Sequence, residues 1–147
     1  LTVQAAASVM VSSDFNVAGN FTNNGLYDGS LGALVMTGST DALITGTTTP
    51  SNIAQLVIRK GSGTTVTAAV NLASLLNLNV FTGTLFTSTF NVAEDIAGGL
   101  LTVEAGAKLK IGGINTLPAF TSIGLNPLST VEYAGGVQTI ANNVLCY

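Results

Sequence analysis

Leu1-Thr2-Val3-Gln4-Ala5-Ala6-Ala7-Ser8-Val9-Met10-Val11 lines up with Leu101-Thr102-Val103-Glu104-Ala105-Gly106-Ala107-Lys108-Leu109-Lys110-Ile111. The match extends in order. Asn20-Phe21-Thr22-Asn23-Asn24-Gly25-Leu26 aligns with Ala119-Phe120-Thr121-Ser122-Ile123-Gly124-Leu125, and Leu34-Val35-Met36 with Val131-Glu132-Tyr133. The chain therefore carries an internal repeat of about 100 residues, in which residues 1–46 resemble residues 101–140. So long a unit spans several turns of a solenoid, because one turn of a wide β-helix takes about 20 to 30 residues.

The residues around the repeat favour strands and turns. Val, Ile, Thr, Asn and Gly are abundant, while Glu, Lys, Arg and Gln are scarce. Short strand-like runs recur at residues 1–3, 8–11, 15–17, 33–37, 42–45, 55–59, 64–67 and 75–81. More follow at 90–92, 100–103, 108–111, 130–133 and 137–140. Turn formers separate them, among them Asn23-Asn24-Gly25, Asp28-Gly29-Ser30, Gly61-Ser62-Gly63, Gly98-Gly99, Gly112-Gly113 and Gly135-Gly136. Residues 67–78 could form a helical turn, but their Val and Asn content favours strand. Sandwich, barrel and solenoid all suit an all-β chain, and the repeat selects the solenoid. The expected fold is one right-handed parallel β-helix over residues 1–147, with about six turns, a rod about 30 Å long, and strands about 4.8 Å apart. Inward positions take Val, Ile, Leu, Phe and Ala. Outward positions take Thr, Ser and Asn, and corners take Gly and Asn.

Composition limits the function. The chain has 147 residues, 47% hydrophobic but only 7% charged, against about 25% charged in an ordinary domain. Four basic residues and a net charge of −3 argue against nucleic-acid binding. Histidine is absent, which removes the usual catalytic base and the His-containing zinc sites. One cysteine, Cys146, excludes an internal disulfide. Mean hydropathy is +0.56, yet residues 66–81, the longest mostly apolar window, are interrupted by Thr67, Asn71, Ser74, Asn77 and Asn79. No apolar run approaches the roughly 20 residues of a membrane-spanning helix, so membrane insertion is not expected. No signal peptide is visible, and the chain reads as a piece of a longer protein.

Several strings resemble the repeats of large secreted surface proteins of Bacteroidota. They are the residue 101–113 string, Ser129-Thr130-Val131-Glu132-Tyr133, Gln138-Thr139-Ile140 and Asn20-Phe21-Thr22-Asn23-Asn24-Gly25. Ala134 stands where that pattern carries Asn, and Met36 and Asp41 where it carries Tyr and Gln. The resemblance implies a β-helical stalk of an adhesin-like protein, exported by type IX secretion and held at the cell surface. It implies the secretion machinery and cell-surface components as partners. Flanking repeats of the same chain are expected partners as well, with a surface glycan or another extracellular ligand as a further one.

Individual residues offer little chemistry. Glu94-Asp95 is the single adjacent carboxylate pair, and neighbours on a strand point to opposite faces, so the two read as a solvated turn. Arg59-Lys60 before Gly61-Ser62-Gly63 lacks the helix start of an anion cradle and reads as a strand end whose charges discourage edge pairing. Thr45-Gly46-Thr47-Thr48-Thr49, Thr82-Gly83-Thr84 and Thr87-Ser88-Thr89 evoke an ice-binding face, but their spacing is irregular. Asn20-Phe21-Thr22 matches the glycosylation acceptor pattern. Cys146 reads as a small apolar residue rather than a nucleophile. Tyr27, Tyr133 and Tyr147 could stack on sugar, and read rather as caps on the core. Lyases and hydrolases on this fold need clustered carboxylates with cations, so no catalytic, cofactor or metal residues are assigned. The expected function is structural, with a glycan- or ice-binding face as the alternative.

Overall fold

The computed structural model describes residues 1–47 and 53–140, apart from the side chain of Ser74. Among these residues every regular element is a strand, and every pairing is parallel. The chain winds as a β-solenoid of about six turns.

The first coil holds β1 (Thr2–Val3), β2 (Ser8–Met10) and β3 (Phe15–Val17), and the second β4 (Phe21–Asn23), β5 (Leu26–Asp28) and β6 (Ala33–Met36). The third contains β7 (Ala42–Thr45) and β8 (Ile53–Arg59), and the fourth β9 (Thr65–Ala68) and β10 (Leu72–Thr82). The fifth contains β11 (Thr84–Phe86), β12 (Val92–Glu94) and β13 (Leu100–Val103). The sixth contains β14 (Lys108–Ile111) and β15 (Ser122–Leu125), and β16 (Thr130–Tyr133) begins a seventh. The first sheet runs β1-β4-β7-β9-β11-β14-β16 and the second β15-β13-β10-β8-β6-β3, with β12 also against β10. A short third sheet pairs β2 with β5.

Register makes the core. In the second sheet Phe15, Leu34, Leu56, Leu78, Leu101 and Ile123 stand one above another. Two residues on, Val17, Met36, Ile58, Val80, Val103 and Leu125 form a second column. Across the interior, the first sheet stacks Ala42, Val66, Leu85, Leu109 and Val131. Nearly all of these side chains belong to one continuous core cluster or pack against it. β-Branched and leucine side chains suit this geometry because each fits between the like residues of adjacent coils. A smaller cluster, Ala33, Val35 and Val57, lies on the outer side of the second sheet.

The two matching stretches of sequence have the same local shape. Each is strand, tight turn, strand, closed by Ala7 N–H to the Gln4 carbonyl and by Ala107 N–H to the Glu104 carbonyl, both at 3.0 Å. Ala6 and Gly106 hold the left-handed position, at φ 63° and 75°. The faces differ: the first stretch turns from the first sheet to the third, and the second from the second sheet to the first. The structural period is the single coil, seen as Thr2 opposite Thr22, Thr22 opposite Thr45, and Leu56 opposite Leu78.

Four readings of the sequence change. Residues 137–140 are not a strand; Gln138 instead folds back into a corner. Asn23, read as part of a turn, ends β4 and points inward, fully buried under Val3. Residues 90–92 are strand only from Val92, because Asn91 sits at a corner, where its N–H donates to the Asn71 side chain. Tyr27 is not available for sugar stacking: it is fully buried and meets Phe21 edge to face, 5.0 Å between ring centroids.

Truncating the leucine column should be costly. Leu78→Ala leaves a cavity between Leu56 and Leu101 and is expected to lose about 3 kcal/mol in chemical denaturation. Leu100→Ala, on the half-exposed outer side of the same sheet, should lose less than about 1 kcal/mol.

Candidate functional site

Polar side chains do two jobs at the corners. Asx residues accept backbone N–H groups of the next coil: Leu43 N–H to Asn20 at 2.9 Å, Thr65 to Asp41 at 2.8 Å, Asn91 to Asn71 at 2.9 Å, and Leu100 to Asn77 at 3.0 Å. Each satisfies a donor at or beside the start of a strand, where the ladder is incomplete. Side-chain amide N–H groups donate into carbonyls of the preceding coils. Asn115 Nδ2 reaches the Phe90 carbonyl at 3.0 Å, and Gln138 Nε2 reaches the Asn115 carbonyl at 2.8 Å. Gly112-Gly113-Ile114-Asn115 and Gly135-Gly136-Val137-Gln138 are thus one corner motif, one coil apart. A Cβ at Gly135 would lie 1.9 Å from the Gly113 carbonyl oxygen.

Lys60 extends this device to a charged group. Its side chain is buried, and Nζ donates to the Ala18 carbonyl at 3.0 Å and the Thr37 carbonyl at 2.5 Å, tying three coils together. Gly83, at φ 79°, makes room: a Cβ there would stand 2.7 Å from Lys60 Cβ. Burial pulls the Lys60 ammonium below the usual lysine range, and Asp41 opposes part of that pull. Reading Arg59-Lys60 as two charges guarding an edge does not hold: β8 lies between β6 and β10, Lys60 turns inward, and the Arg59 guanidinium lies over Phe81 at 4.9 Å. Sequence gave no sign that a lysine beside glycines would turn inward.

Glu94 and Asp95 do not form a carboxylate pair. Glu94 accepts the Thr121 hydroxyl at 2.7 Å and Gly99 N–H at 2.8 Å, and the Thr121 contacts lead in holding its carboxyl below the usual range. Asp95 lines a shallow recess with Ile53, Leu75 and Ile96. The threonine-rich pieces are dispersed. Thr45 stacks on Thr22, and Thr84 lies between Thr65 and Lys108. Thr87 is buried and accepts Gly112 N–H at 3.4 Å. Thr48, Thr49, Cys146 and Tyr147 lie outside the described residues. Asn20 is exposed, but its Oδ1 serves Leu43. Among the described residues no three His, Cys, Asp or Glu side chains come together as a metal site. No described helix is long and apolar enough to cross a membrane.

A groove of about 770 Å³ lies where the second sheet turns into the first. Lys60, Lys108, Lys110 and Glu132 border it, with Ser62, Thr65 and Thr84. Glu132 receives Lys108 at 2.9 Å and Lys110 at 3.1 Å, and these two contacts lead in lowering its carboxyl. Lys110 also lies 5.2 Å from the Phe86 ring centroid. The sequence does not display this group, because Glu132 is a coil away from its lysines and only register brings them together. No protein-family model, curated protein or solved structure matches the chain.

Alkaline pH should unfold the protein through Tyr27. Burial, with Asp28 adding, pushes its hydroxyl up to about 12 from 10.0. The folded state thus holds that proton more tightly than the unfolded chain. The stability is complete below pH 10 and is lost as pH rises through 12, amounting to roughly 2 kcal/mol. Lys60 acts with the opposite sign: its lowered value makes stability rise as pH climbs toward the ordinary lysine range. Denaturation midpoints against pH should lose the falling limb in Tyr27→Phe and the rising limb in Lys60→Met.

Proposed function

We propose that this chain is a structural spacer, a stalk segment of a secreted bacterial adhesin-like protein that holds an adhesive region away from the cell surface. The observation that carries the reading is the first sheet. Its parallel ladder passes through seven strands, so the segment is a stack whose length, not a pocket, is its main property. The repeat strings that resemble Bacteroidota surface proteins support the location and the type IX route. Flanking repeats are the natural partners, since each coil offers the next an edge of unpaired N–H and C=O groups. The low charge agrees: a spacer needs an outer surface that is soluble but unreactive, and Thr, Ser and Asn supply it.

Two copies fused in coil register should form one straight rod of doubled length in negative-stain images, with a single unfolding transition. Two beads joined by a hinge would overturn the spacer reading. An antibody raised against the segment should label intact, unpermeabilised cells of the source organism, and labelling only after permeabilisation would overturn the surface location.

A further inference from the structure

We infer that the groove at the Lys108–Lys110–Glu132 ladder is a binding site for an acidic polysaccharide whose sugar residues carry carboxylates. This inference does not depend on the spacer reading.

The chain has four basic residues, and two of them, Lys108 and Lys110, present their ammonium groups at this groove. Lys60 lines it only with its stem, since its ammonium turns inward to the Ala18 and Thr37 carbonyls. A chain of net charge −3 thus sets two of its four cations side by side at one corner. Lys108 and Lys110 share a single carboxylate, one oxygen each, which leaves a positive charge in excess. All three side chains are 35 to 40% exposed, so an incoming carboxylate can reach both ammonium groups. Glu132 shows the geometry such a carboxylate would adopt, and competes with it.

The rest of the groove suits sugar. The Ser62, Thr65 and Thr84 side chains add hydroxyls beside the lysines. Gly63 and Gly106 leave the corner low, with nothing within 4 Å of where a side chain would begin. The lining residues come from successive coils, so the groove crosses strands spaced about 4.8 Å, a step comparable with one pyranose residue. An extended chain can therefore lie across the coils. Two half-neutralised lysines are too few to follow the dense phosphates of a nucleic acid.

The test is calorimetric titration of the protein with polygalacturonate at low salt, against neutral dextran and a single-stranded oligonucleotide. Polygalacturonate should bind, and binding should weaken at about 0.5 M salt as the charges are screened. Lys108→Gln with Lys110→Gln should weaken it by about tenfold or more. Glu132→Gln should tighten it several-fold, a gain that a folding defect cannot produce. Thermal melts of each variant check that the fold persists. No binding of polygalacturonate, equal binding of dextran, equal binding of the oligonucleotide, or unchanged affinity in the double lysine variant would each overturn the inference.

Discussion

Everything in this molecule depends on the parallel register between one coil and the next. A parallel ladder fixes each residue above its counterpart one turn below, so the interior is assembled from columns rather than from a three-dimensional jigsaw. The column of Phe15, Leu34, Leu56, Leu78, Leu101 and Ile123 is the clearest case. Like side chains pile up, and each buries its faces against two neighbours. A slip of one residue in any coil would turn that column outward and interrupt the core on both sides. Coils can therefore differ in length at their corners but not in phase within the sheets. Thr65 pairs with Thr84 and Thr84 with Lys108, two steps of unequal length joined in one unbroken ladder.

The class of fold was legible because composition and pattern agree: abundant β-branched residues, glycine punctuation and a self-similar string. The size of the unit was harder to read. The strongest identity, Leu1-Thr2-Val3 with Leu101-Thr102-Val103, records a shared corner, and that corner serves different faces of the solenoid. The coil period was written more faintly, in Leu56-Val57-Ile58, Leu78-Asn79-Val80 and Leu101-Thr102-Val103, and in the Gly-Gly-x-Asn and Gly-Gly-x-Gln corners. These share hydrophobic size and turn chemistry more than identity, so an identity search passes over them. β4, β5, β11 and β15 escaped the reading for a related reason. They are three or four residues long, too short to show an alternating pattern, and pairing with neighbouring coils makes them strands.

Corners explain the polar residues that pattern alone misplaces. Wherever the chain leaves one sheet for the next, some N–H and C=O groups fall out of the ladders, and in a stacked structure they are shielded from water by the coils on either side. Asn and Asp side-chain oxygens answer the donors, and the N–H groups of Asn, Gln and Lys side chains answer the acceptors. Lys60 is the extreme case. An ammonium has three donors and no acceptor, which matches a column of carbonyls such as Ala18 and Thr37, and its charge is tolerated because those bonds replace part of its hydration. A methionine would fill the same space and leave both carbonyls unanswered.

The same register governs what the outside can do. On the first sheet Thr67, Phe86, Lys110 and Glu132 form one outward column, drawn from four coils widely separated in sequence. Any recognition surface on this solenoid has to be composed that way, from alternate residues of a strand and their counterparts in neighbouring coils, because adjacent residues on a strand face opposite sides. Short motifs therefore say little about function here. Glu94-Asp95 looks like a pair and is not one, while Lys110 and Glu132 look unrelated and touch at 3.1 Å. The core columns hold the coils in phase and carry no constraint on the outer ones. Outer columns can then vary freely while the stack persists, which is how a solenoid can carry a groove without losing its core.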